Sequence, residues 1–171
     1  MPVPWVMGRI WRAVIFVGVL MCTAGFDQGT KEWARADLTI GQPEAVIDGY
    51  WDWELAMNDG AAFSRLRGSQ VLLSLIALGA LIVLGVMAHR TRPEQHLRRI
   101  ALAVIAGGAI GNVIDRIRDG AVTDFVRWKA GGHMWPIFNV ADVALVIGVI
   151  LLFVDGFLER RRERDPRPAL P

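Results

Sequence analysis

Residues 71–88 read VLLSLIALGALIVLGVMA, a run with no charged side chain. A helix that crosses a bilayer needs roughly 20 mostly apolar residues, and this run approaches that length. Three more stretches have the same character: Ile10 to Phe26, Ile100 to Ile114 and Val140 to Leu158. The stretch from Ile100 to Ile114 is short and must borrow from its polar ends. A length of 171 residues fits one domain, but 53% hydrophobic residues and a mean hydropathy of +0.36 are too apolar for a soluble domain of that size. A bilayer is the better solvent. The expected fold is mostly α: a polytopic membrane protein with four transmembrane helices, a small extracytoplasmic β-element and a short membrane-surface helix.

Orientation follows from the basic residues, because Lys and Arg in short loops are retained on the cytoplasmic side. Arg9 and Arg12 precede the first stretch, Arg90, Arg92, Arg98 and Arg99 crowd the link between the second and third, and Arg160, Arg161, Arg162, Arg164 and Arg167 follow the fourth. These segments and both termini belong inside. The loop 27–70, which carries eight acidic residues, and the loop 115–139 belong outside. Residues 1–158 thus read as a single membrane domain with spans at about 10–26, 71–88, 100–114 and 140–158, and 159–171 as a solvated cytoplasmic tail without chemistry. Basic residues before an apolar run also describe a cleavable signal peptide, which would start the mature chain near Ala24. No clear small-x-small site precedes Asp27, and cleavage would break the two-sided charge pattern, so retention is the favoured reading.

A sequence pI of 9.2 raises nucleic acid as a partner. No basic patch is interleaved with stacking aromatics, however, and the arginines fall where topology places them, which argues against that class. The single cysteine, Cys22, excludes an intramolecular disulfide and a cysteine-based zinc site, and reads as a buried thiol. Residues 51–57, WDWELAM, alternate apolar and polar with period two like a half-buried strand, and Asn58-Asp59-Gly60 supplies a turn. Trp51, Trp53, Trp128 and Trp135 suit the headgroup region. Gly107 and Gly111 stand in the small-xxx-small spacing that lets helix backbones approach closely.

Polar side chains near apolar spans are costly, so they pair, face a wet cavity or perform a function. Four clusters stand out: Asp27-Gln28-Gly29-Thr30-Lys31, Asn58 to Ser64, Gly111-Asn112 through Asp115-Arg116 to Asp124-Phe125, and Phe138-Asn139-Val140-Ala141-Asp142. Each has an ordinary reading. Asp27 and Lys31 form an i,i+4 ion pair, Asn58 to Gly60 a turn, and Asn139 with Asp142 a helix cap resembling a capping box. Asn112, Asp115 and Arg116 serve as interfacial anchors. Taken together, however, all four fall on one side of the membrane. Two carboxylates facing each other at low dielectric share a proton. Such a pair activates water for attack on a peptide carbonyl while the protonated partner polarises that carbonyl. No His pair has metal-site spacing, no serine sits in a Gly-x-Ser-x-Gly turn, and no glycine-rich phosphate loop is present. A proton-coupled carrier would place its acids at midmembrane and break its helices within their spans, and neither feature is found.

The four clusters, in this order and at these helix ends, resemble the lipoprotein signal peptidases, or signal peptidase II. The motifs are Asn58-x-Gly-Ala-Ala-Phe63, Gly111-Asn-x-x-Asp-Arg116, Val122-x-Asp-Phe125 and Phe138-Asn-x-Ala-Asp142, joined by Asp27-x-x-Thr-Lys31. The resemblance implies an aspartyl endopeptidase of the bacterial inner membrane. Such an enzyme cuts diacylglyceryl-modified prolipoproteins immediately before the lipidated cysteine, at the extracytoplasmic face. It implies Asp124 and Asp142 as the catalytic pair; spacing alone does not choose Asp124 over Asp115. Asn112, Asp115, Arg116 and Asn139 match positions that line and order the site, Asn58 one that contacts substrate backbone, and Asp27 with Lys31 a supporting pair. The implied partners are the lipid-modified prolipoprotein and membrane lipids, with no nucleic acid, no obligate protein partner, no metal and no organic cofactor. Thr123 stands where a second Val is common, and Leu55-Ala56-Met57 lacks a tyrosine often found there. A relative that binds precursors without cutting them is the other reading, which the complete motif set argues against.

Overall fold

The computed structural model describes residues 4–60 and 70–164. Its elements in chain order are α1 (Pro4–Asp37), β1 (Glu44–Ile47), β2 (Trp51–Asn58), α2 (Gln70–Arg90), α3 (His96–Asp119), β3 (Val122–Ala130), β4 (His133–Met134) and α4 (Val140–Arg164). Four helices, from Gly8–Asp37, Gln70–Arg90, His96–Asp119 and Val140–Arg164, are long and apolar enough to cross a membrane. Their outward faces carry large apolar side chains, and α2 buries no residue at all. Such a belt would be an aggregation surface in water and is at home in hydrocarbon. The short surface helix is not among the described elements.

The bundle is organised around α3, against which each of the other three helices packs. Its sequence explains this position. Ala101, Ala103, Ala106, Gly107, Gly108 and Gly111 are all buried, and small side chains let neighbouring backbones come close. The glycine pair at i,i+4 faces α1: a methyl on Gly107 would lie 2.6 Å from Thr23 Cβ and 2.8 Å from the Leu20 carbonyl, and one on Gly111 would run into the Asp27 carboxylate. Gly108 faces the other way, where a methyl would lie 2.7 Å from the Ala141 carbonyl of α4. Helix α3 extends beyond the apolar run at both ends, as its shortness requires. At one end Arg98 pairs with Asp155 at 2.8 Å and with Glu159 at 2.6 Å on α4. The tail is therefore engaged from its first residue, and α4 stays helical to Arg164.

Helix α1 continues well past Phe26, where its apolar stretch stops, and so places Asp27 and Lys31 on a helix rather than in a loop. Protein, not lipid, covers that extension. Cys22 is exposed, contrary to the expectation of a buried thiol. The inward face of α1 runs through Leu20, Thr23, Ala24 and Asp27, and position 22 falls off that face.

The strands form one antiparallel sheet in the order β1-β2-β3-β4. Leu55 of β2 and Phe125 of β3 pack with Ala34 and Leu38 of α1, and Trp53 joins this core with its ring 5.2 Å from Trp33 and 5.9 Å from Phe125. The sheet is thereby seated on the extension of α1. On β2 the more buried side is acidic: Asp52 meets Lys129 Nζ at 2.5 Å and Glu54 meets Arg127 at 2.5 Å. Cross-strand neutralisation makes that burial tolerable, while Trp128 and Trp135 stay exposed. Helix α3 ends in a left-handed cap at Gly120, φ 70°, and the chain enters β3 two residues later.

Gly107→Ala is expected to lower thermal stability in detergent by about 1–3 kcal/mol through overpacking against α1. Gly79→Ala on α2, where a methyl meets nothing within 4 Å, should be neutral. Equal melting temperatures for the two variants would contradict the close α1–α3 contact.

Candidate active site

Lys31 is completely buried, with 0% of its side chain exposed, and its ammonium sits 2.8 Å from Asp27, 3.0 Å from Asp115 and 2.9 Å from Asn112 Oδ1. An ammonium has three donors, and here each has an oxygen. The pair Asp27–Lys31 is thus more than an i,i+4 surface bridge, since it ties α1 to α3. Asp27 Oδ1 also accepts from the Ala141 N–H at 2.8 Å, satisfying a free donor in the first turn of α4. Asp115 accepts from the Thr123 N–H at 3.0 Å and from Gln28 Nε2 at 2.9 Å, and so fixes the start of β3.

From Lys31 the network runs through amides to the two other aspartates. Asn112 Oδ1 accepts from Lys31 and from Asn139 Nδ2, 3.2 Å away, which forces its Nδ2 toward Asp142 Oδ1 at 3.0 Å. Asn139 and Asp142 form a reciprocal cap: Asn139 Oδ1 accepts from the Asp142 N–H at 3.0 Å, and Asp142 Oδ2 from the Asn139 N–H at 3.2 Å. The capping reading is therefore correct, and the same two side chains also belong to the site. Asp124 accepts from Asn139 Nδ2 at 2.7 Å on one oxygen and from Asn58 Nδ2 at 2.9 Å on the other. The sheet register makes the second bond possible. Ala56 lies opposite Asp124 and Asn58 opposite Val122, so Asn58 and Asp124 are diagonal neighbours on one face. Asn58 Oδ1 accepts from the Gly60 N–H at 3.0 Å, the turn expected there.

Asp124 and Asp142 both line an open cavity of about 610 Å³, together with Asn58, Asn112 and Arg116 and an apolar wall that includes Met57, Trp135, Ile137, Leu145 and Val146. Asp115 does not line it. Asp124 is 3% exposed. Burial, reinforced by the neighbouring Asp142 charge, pushes its carboxyl up to about 7, against the pull of the Asn58 and Asn139 hydrogen bonds. Among the described residues, the buried Nε of Arg116 has no hydrogen-bond partner, and its Nη1 reaches the Asn112 carbonyl at 3.3 Å. The Nε itself is out of a cavity occupant's reach, so what Arg116 brings to the cavity it lines is its positive charge. All nine residues singled out from the sequence are thus in one connected arrangement. Reading the sequence missed Gln28 as a contact of Asp115, and Arg35, whose Nη1 donates to Thr123 Oγ1 at 2.5 Å. The signal was present: 27, 31 and 35 are successive i,i+4 positions of one helix face.

The fold and site define a class, a polytopic membrane hydrolase whose buried acids gather at one end of a four-helix bundle. The family model for signal peptidase (SPase) II matches residues 19–158, and the chain belongs to that peptidase family. It is similar to the lipoprotein signal peptidase of Xanthomonas euvesicatoria pv. vesicatoria, at 39% identity over 90% of this chain and 92% of that one. Similarity to the lipoprotein signal peptidase of Geobacter sulfurreducens is 42% identity over 91% of this chain and 96% of the other. Among solved structures, two bacterial membrane enzymes studied by the in meso method align with TM-scores of 0.78 and 0.74, at 28% and 31% identity. The alignments cover 92% and 82% of this chain, and 93% and 90% of theirs.

Lys31→Met leaves Asp27 and Asp115 buried without their cation. A loss of about 3–5 kcal/mol is expected, read as a lower unfolding midpoint in detergent. The double variant Lys31→Met/Asp115→Asn should recover part of it, and no recovery would mean that the ammonium does not compensate Asp115.

Proposed function

We propose that this peptidase removes the signal peptide of bacterial prolipoproteins by an aspartyl mechanism, with Asp124 and Asp142 as the catalytic pair. The observation that carries this reading is that these two aspartates, from β3 and α4, line the same cavity. Asp115, the alternative left open by spacing, is saturated by Lys31, Gln28 and the Thr123 N–H.

Near neutrality the proton of the pair is placed on Asp124, whose carboxyl is pushed up to about 7 by burial and then by the Asp142 charge beside it. The ionised carboxylate takes a proton from water while the water oxygen attacks the scissile carbonyl carbon. The protonated carboxyl gives its proton to the carbonyl oxygen, forming a neutral gem-diol. As the C–N bond breaks, the ionised carboxylate takes a hydroxyl proton from the gem-diol and the protonated one gives its proton to the leaving amine, which leaves the pair with one proton again. Amides from Asn58, Asn112 and Asn139 hold the carboxylates in place throughout. Arg116, which lines the cavity, offers its positive charge to a substrate carbonyl.

The substrate reading is a prolipoprotein bearing a diacylglyceryl cysteine, cut immediately before that residue. It is supported by family membership and by the apolar wall of the cavity, along which a signal helix and acyl chains can lie without leaving the bilayer. The location assigned is the bacterial inner membrane, with 1–158 acting as one catalytic unit and both termini cytoplasmic. The arginines at positions 9, 12, 90, 98, 99 and 160–162 belong to the helix ends opposite the aspartates, and Arg92 to the α2–α3 link there, which supports an extracytoplasmic active site.

Purified full-length protein in detergent is expected to cleave a diacylglyceryl-modified prolipoprotein, with chelator present or absent. Asp124→Asn and Asp142→Asn should each lose at least about a hundredfold in rate; full activity in either folded variant sinks the assignment. The pH profile supplies a second check. Activity requires the shared proton, so the rate should fall as pH rises through about 7, where Asp124 loses its proton. Stability moves the same way, since a carboxyl whose folded pKa is raised favours the folded state less as pH climbs from its ordinary range to that value. A thermal midpoint that rises over this window relative to Asp124→Asn would contradict the raised value.

A further inference from the structure

At the end of the bundle opposite the aspartates, a second cavity of about 480 Å³ lies between the start of α1, the end of α2 and the start of α3. Arg9, Arg12 and Arg99 line it with His89 and Thr91, and its walls are Ala13, Phe16, Val17, Gly85 and Ala88. Among the described residues that line it there is no carboxylate. Topology alone accounts for arginines at this end, and such side chains ordinarily snorkel into headgroups and water. Arg99 does not. It is 5% exposed, and its Nη2 donates to the backbone carbonyls of Arg92 at 3.0 Å and Thr91 at 3.4 Å. The contrast with its neighbour is direct, since Arg98 is neutralised by Asp155 and Glu159 on α4.

A buried guanidinium held by carbonyl oxygens alone keeps its net charge, and Arg12 adds a second positive charge that repels it. An anion in the cavity would relieve both. Its surroundings indicate what kind. Helices α1 and α2 both pack on α3 but barely touch each other, so the space between them faces the hydrocarbon. An occupant arriving there meets cations at the membrane surface and Phe16 and Val17 just below.

We propose that this cavity binds the phosphate headgroup of an anionic phospholipid, with Arg9, Arg12 and Arg99 as its ligands and the first carbons of an acyl chain lying along Phe16 and Val17. Basic pockets between transmembrane helices have the charge and depth for such headgroups. The lipid fills the gap between α1 and α2 and supplies the counter-charge that no carboxylate among the described lining residues provides.

The test uses the delipidated full-length protein in detergent, given equal amounts of phosphatidylglycerol and phosphatidylcholine, with bound lipid counted by native mass spectrometry. Phosphatidylglycerol should be retained preferentially, and the preference should drop roughly fivefold for each arginine removed in Arg9→Gln and Arg9→Gln/Arg12→Gln. Arg161→Gln, at the far end of α4, should leave it unchanged. Thermal unfolding confirms that each variant is folded, and Arg9→Gln, exposed near a helix end, gives the reading if the double variant is not. Undiminished preference in folded Arg9→Gln, or an equal loss in Arg161→Gln, overturns the site in favour of diffuse surface charge. Displacement of the lipid by millimolar inorganic phosphate overturns the lipid assignment in favour of a small-oxyanion site.

Discussion

An ammonium removed from water must recover its solvation from protein oxygens, and the arrangement of this chain's functional end follows from how Lys31 does so. Its three oxygen partners come from α1 and α3, and each passes the constraint on. Asp27 reaches the first turn of α4, Asp115 the first residues of β3, and Asn112 the amide relay toward Asp142. Two aspartates on separate elements are thus positioned by one cation that does not line the cavity they share. The desolvation of that cation is offset only if all three partners are present together, which makes the arrangement cooperative.

Helix packing makes this meeting possible. Three glycines on α3 face in two directions, Gly107 and Gly111 toward α1 and Gly108 toward α4. Side chains there would hold the helices apart and place Lys31 beyond the reach of Asp115 and Asn112, and Asp27 beyond the reach of the Ala141 N–H. The glycine at 111 is the closest link between packing and chemistry, because the space its missing side chain leaves is filled by the Asp27 carboxylate.

The four spans, the strand beginning at Trp51 and the site clusters are legible because hydropathy, period-two alternation and intramembrane polarity are local signals. The end of α1 is not. Hydropathy stops at Phe26, whereas the helix continues to Asp37 because α3, α4 and the sheet provide the cover that lipid would otherwise supply. For the same reason Cys22 was misplaced, since which face of α1 turns inward depends on Gly107 of another helix. The choice between Asp115 and Asp124 is also beyond spacing. Asp115 lies near the end of α3 and Asp124 in β3 just after it, and only the partners distinguish them: a lysine and a backbone N–H for one, two amides and a cavity for the other. On β2, alternation identified the strand but not its buried side, which Arg127 and Lys129 on β3 decide.

The direct partners of Asp124 and Asp142 are the amides of Asn58, Asn112 and Asn139 and one backbone N–H. None of these groups gains or loses a proton across the range in which carboxylates titrate. For the proposed aspartyl mechanism this means a frame that stays the same whichever oxygen is protonated. In the language of charge transfer, the reorganisation energy of moving a proton between the two would be small, because the dipoles that must respond to it are already oriented and held.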